Sequence, residues 1–125
     1  YGFWSGTYGV NIPQSTINGT GYMIMTKNST GDSWIFDHKY VNTIIYGSGG
    51  GNNSWSGGVA LVPQEAWNID KKMDDGEPAK GNVMAMNWQY GCIADNGILA
   101  SNNFEVEYNM QESSKQCALV FQNLF

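Results

Sequence analysis

The chain has 125 residues, of which 42% are hydrophobic and only 14% charged, with a net charge of −5. All six of its basic side chains are lysine. An acidic chain without arginine forks is poorly matched to phosphates and base edges, which excludes nucleic-acid binding and a polybasic membrane-surface role. The length suits one domain, and we expect a single domain over residues 1–125. A charged share below the roughly 25% of ordinary soluble domains leaves solubility to Asn, Ser, Thr, Gln and Gly. Many extracellular proteins share this composition.

Residues 1–20 are loop-rich, punctuated by Gly2, Gly6, Gly9, Pro13 and Gly19. GYMIMTK (21–27) and SWIFDHKYV (33–41) read as strands, with NTIIYG continuing the second and NSTGD (28–32) as the hairpin turn between them. GSGGGNNSWSGG (47–58) reads as a flexible loop. It lacks the GK[ST] ending and the glycine spacing of a nucleotide cradle.

VALVPQEAWNIDKKMDDG (59–76) is the one convincing helix, centred on residues 63–74. Pro63 suits the first turn, where its missing N–H costs nothing. Glu65 near the start and Lys71 and Lys72 near the end match the helix dipole. Val62, Ala66, Ile69 and Met73 line up as an apolar stripe. Gly76 stops the helix in a left-handed conformation and Pro78 prevents its resumption. NVMAMNWQYGC (82–92) reads as a strand. NNFEVEYNMQ (102–111) alternates Phe104, Val106, Tyr108 and Met110 with polar residues, as a half-buried strand does. KQCALVFQNLF (115–125) closes the chain as an apolar strand. The fold class is α+β, a mostly antiparallel β-sheet with one short helix.

Cys92 and Cys117 are the only cysteines. They permit one disulfide, worth on the order of 3 kcal/mol for a loop of about 26 residues, or two buried thiols in a reducing compartment. Two Cys and one His cannot complete a structural zinc site. No run reaches the ~18 apolar residues of a membrane span, and no secretory signal is present.

Chemistry for catalysis is thin. His38 is the single histidine and Asp37 precedes it, but GDSW (31–34) has no later histidine to complete a hydrolase triad, and there is no GxSxG elbow. Asp70, Asp74, Asp75 and Glu77 crowd a helix end, with no second acidic element in comparable company beyond Glu105 and Glu107, so a glycosidase pair is not indicated. Calcium is more plausible than a glycosidase pair, with Asp74 and Asp75 as candidate ligands. The EF-hand ladder is absent, and Lys71, Lys72 and Lys80 compete for the same acids. We read the cluster first as structural, a helix stop and tight turn. Five Trp and seven Tyr suit either a well-filled core or stacking against carbohydrate.

The run ALVPQEAWNIDKKMDDGEPAKGNVMA resembles a signature of bacterial type IV pilin-like proteins and type II secretion pseudopilins. The matching residues are Ala60, Leu61, Pro63, Ala66, Ile69, Asp70, Lys72, Asp74, Asp75, Gly76, Pro78, Gly81 and Val83, about a fifth of the chain. The late cysteine pair and the apolar closing strand CALVFQNLF are also similar to the pilin arrangement. The resemblance implies a non-catalytic filament subunit, minor or tip, exposed outside the cell or in the periplasm, whose partners are other pilin or pseudopilin subunits. It further implies an apolar helix with a glutamate near its start, and a prepilin leader, upstream of Tyr1; that helix is the one route to a membrane. The alternative class is a secreted carbohydrate-binding module using the aromatics and the glycine-rich loop.

Overall fold

The computed structural model describes residues 15–17, 19–31, 35–49, 58–86, 91–94 and 102–123. Two long strands, β1 (Thr20–Ser29) and β2 (His38–Ser48), form an antiparallel hairpin in which Tyr22 faces Tyr46 and Ile24 faces Ile44. The register slips between Met25 and Lys27, and Asn42 takes a positive φ of 50° on the opposite strand. One helix, α1 (Pro63–Met73), follows. Then come β3 (Val83–Ala85), β4 (Ile93–Ala94), β5 (Glu107–Tyr108) and β6 (Leu119–Phe121). The main sheet runs β1-β2-β6-β3, every pairing antiparallel, and β4 and β5 make a separate two-stranded ladder.

The closing strand is thus internal, wedged between β2 and β3. Both of its faces are covered, which explains the unbroken apolar runs VMAM and ALVF. Leu119 and Phe121 join Tyr46, Val83 and Ala85 on the face that receives Ala66, Trp67 and Ile69 of α1. Ala118 and Val120 join Met25, Ile45, Met84 and Met86 on the other face.

The strand expected over 33–41 begins only at His38, and residues 32–34 lie outside the described region. Ile35 and Phe36 are fully buried but not paired. Each fills a different one of the two core clusters, so their apolar character serves packing. The connection between β1 and β2 is correspondingly longer than the NSTGD turn. It is closed by the Gly31 N–H donating to Asp37 Oδ1 at 2.8 Å, with Gly31 at φ 71°. Of the segment 82–92, Val83–Ala85 form a strand while residues 87–90 lie outside the described residues, and the 102–111 strand shrinks to Glu107–Tyr108. Val106 and Tyr108 are buried as the alternation requires, whereas Phe104 and Met110 stay exposed, because only the centre of that segment lies against α1. The glycine-rich loop starts later than position 47: Gly47 and Ser48 end β2, and Ser48 bridges back to Gly58. The loop's interior and the segment 1–14 lie outside the described residues.

Cys92 and Cys117 form a disulfide, both sulfurs fully buried. Cys117 also bridges Leu61 just ahead of α1, and the Cys92 carbonyl accepts from Asn109 N–H at 2.8 Å. One covalent link therefore joins the small ladder to the strand-and-helix unit. A disulfide marks folding in an oxidising environment, outside the cell or in a periplasm. Among the described residues no helix is long and apolar enough to cross a membrane.

Candidate functional site

The acidic turn after α1 carries several side-chain hydrogen bonds. Pro63 occupies the first turn, and Glu65 Oε1 reaches back to accept from Val62 N–H at 3.1 Å. The buried side of the helix is Pro63, Ala66 and Asp70, with Ile69 partly covered. This corrects the apolar stripe expected over Val62, Ala66, Ile69 and Met73. Met73 is 58% exposed, while Asp70 is 0% exposed. The helix is rotated so that a carboxylate, not a methionine, faces the core.

Asp70 is held because its charge has two good donors. Oδ2 accepts from the Tyr108 hydroxyl at 2.7 Å and Oδ1 from the Gly76 N–H at 2.9 Å. Burial pushes the Asp70 carboxyl up to about 6. The bonds from Tyr108 and Gly76 pull it back down, and the charges of Asp75 and Asp74 add to the rise. Tyr108 is raised well above the usual phenol range, first by burial and then by the Asp70 charge.

The turn completes a clamp. Asp74 ends the helix, its N–H on the Asp70 carbonyl, and its Oδ2 accepts from Asn82 N–H at 2.5 Å and Val83 N–H at 3.2 Å. Asp75 Oδ1 accepts from Glu77 N–H at 2.8 Å. Gly76 sits at φ 81°, the left-handed stop expected from the sequence, and Gly81 at φ 73°. A Cβ on Gly81 would overlap Asp74 Oδ2 and lie 2.7 Å from Asp75 Oδ2, so two carboxylates close over bare backbone there. Pro78 is buried, and its carbonyl accepts from Ala85 N–H at 2.8 Å. Gln122 ties the end of β6 to the same turn through Gly81 O, at 2.6 Å.

Asp70, Asp74, Asp75, Gly76, Pro78 and Gly81 thus converge, with Pro63, Ala66 and Ile69 seating the helix that carries them. Lys72 does not join them and lies exposed. Lys80 pairs instead with Glu77 at 2.9 Å and Glu105 at 3.1 Å, which raises its pKa. Oxygens of Asp70, Asp74 and Asp75 lie within 4.8 Å of one another, a hard-oxygen set of the kind calcium takes rather than zinc. Each of these carboxylates already accepts at least one N–H or O–H bond from the chain.

Of the hydrolase-like residues, the structure describes Gly31, Asp37 and His38. His38 is exposed, its ring edge-on to Tyr40, and Asp37 is engaged by Gly31. Ser33 lies outside the described residues. The described aromatics are divided: Phe36, Tyr40, Tyr46 and Tyr108 are buried, Trp67 and Phe121 are partly buried, and Tyr22 and Phe104 are 37% exposed. Tyr108 and Gln122 are the site residues that sequence reasoning did not single out. Tyr108 was legible as an inward residue of an alternating segment, but its acceptor is 38 positions away. Nothing local distinguishes Gln122. No family model matches the chain, and neither a curated protein nor a solved structure is found similar to it.

Proposed function

We propose that this chain is the globular domain of a filament subunit of the type IV pilin or type II secretion pseudopilin kind, minor or tip, without catalytic activity. The observation that carries the proposal is the clamp after α1. Apart from the exposed Lys72, the spaced residues of the resembling signature from Pro63 through Gly81 have a place in one unit, the helix and its bonded turn, and that unit is a brace. It locks the helix end to β3, β5 and β6. A braced rim and a buried disulfide suit a domain that must keep its shape on a surface-exposed filament, with other subunits as its partners.

The coding sequence directly upstream of Tyr1 tests this. A short basic leader followed by about 20 apolar residues, with a glutamate near their start, is expected. An ordinary secretory signal ending just before Tyr1 would instead favour a free-standing secreted binding module.

A further inference from the structure

Beside the clamp lies an open groove of about 390 Å³, within the roughly 300–1,000 Å³ of small-ligand sites. One wall comes from α1 and its turn, with Trp67, Glu77 and Lys80; the other is the 104–110 segment. Val106 and Tyr108 line it as buried residues, while Phe104 and Met110 are 37% and 42% exposed. Apolar surface is therefore left open at a site whose base is fixed by the Asp70–Tyr108 bond.

The charges around this surface are unbalanced. Among the described residues that line the groove, three glutamates, Glu77, Glu105 and Glu107, accompany a single lysine, a formal −2. Lys80 already spans the groove as a bridge between Glu77 and Glu105. Glu107 has no ion-pair partner among the described residues. A second copy of this chain, itself at −5, is electrostatically the wrong occupant.

We propose that the groove receives an arginine side chain presented on an extended segment of a partner protein. Arginine combines what the groove offers places for. Its alkyl stem covers apolar surface, its planar guanidinium stacks on aromatic rings such as Trp67 and Phe104, and its fork pairs with carboxylates. The inference goes beyond the filament proposal and does not depend on it.

Titrating the ¹⁵N-labelled domain with a capped leucine–arginine–leucine peptide tests it, with the citrulline analogue as an uncharged isostere. Saturable amide shifts centred on Trp67, Gly76, Glu105 and Tyr108 are expected with the arginine peptide and not with the citrulline one. Affinity should drop about threefold to fivefold in Glu107→Gln, in Phe104→Ala, and on raising the salt. The same spectra report whether each variant is folded. Equal response to both peptides, shifts elsewhere on the domain, or no saturable shift overturns the proposal. So does a response to neutral oligosaccharides alone, which would mark a sugar site.

Discussion

The Tyr108 hydroxyl donates a 2.7 Å hydrogen bond to Asp70 Oδ2, joining β5 to the last turn of α1 across 38 residues of sequence. Both residues are buried, so this bond is the central post of the brace. Tyr108→Phe keeps the ring and removes the donor. A destabilisation of about 1–3 kcal/mol is expected, since a buried carboxylate loses a partner. Urea unfolding measures it, and an unchanged midpoint would mean the hydroxyl carries no load.

The pH dependence has a defined sign. Asp70 binds its proton more tightly when folded, near 6, than at its ordinary value of 3.8. The folded state then holds more protons than the unfolded one between these values. This contribution is fully present below about pH 4 and is lost as pH rises through 6, amounting to about 3 kcal/mol at most. Asp70→Asn, which keeps an acceptor for the Gly76 N–H, should flatten that part of the stability–pH curve. A curve of the same shape in wild type and variant would show that Asp70 is not its source.

Glycine substitutions separate conformation from crowding. Gly19 and Gly81 both have positive φ, at 77° and 73°. A Cβ at Gly19 meets nothing within 4 Å, whereas at Gly81 it meets the carboxylates of Asp74 and Asp75. Gly19→Ala should cost about 1 kcal/mol. Gly81→Ala should cost about 1–3 kcal/mol more, because the clamp has to open. Equal thermal shifts for the two variants would mean the carboxylates move aside freely.

Since the Cys92–Cys117 bond is fully buried, a mild reductant without denaturant should leave it intact. Replacing both cysteines with alanine should lower stability by about 3 kcal/mol. Differential scanning calorimetry with and without reductant checks both statements.

Because the clamp's carboxylates are already bonded to the chain, millimolar calcium should leave the melting temperature unchanged. A rise of several degrees that disappears in Asp74→Asn would instead give the cluster a second use, as a cation site.

The helix and its stop were legible in the sequence because their determinants are local. Pro63, Gly76 and Pro78 act within a turn of where they stand. The helix's inward face was not. Apolar periodicity favoured Met73 over Asp70, and the buried acid is tolerable because the distant Tyr108 donates to it beside the local Gly76 N–H. Ile35 and Phe36 looked like strand for a similar reason, since apolar character reports burial and not pairing. The short strands β4 and β5 owe their positions to the disulfide and to α1, long-range contacts that no window of sequence contains.

The most direct test of the filament-subunit proposal is to shear surface filaments from the native cells and identify their proteins by mass spectrometry. A filament subunit would be recovered in the sheared fraction, its chain extended before Tyr1 by an apolar segment carrying a glutamate. Recovery only as a free domain in the culture fluid, with no such extension, would contradict it.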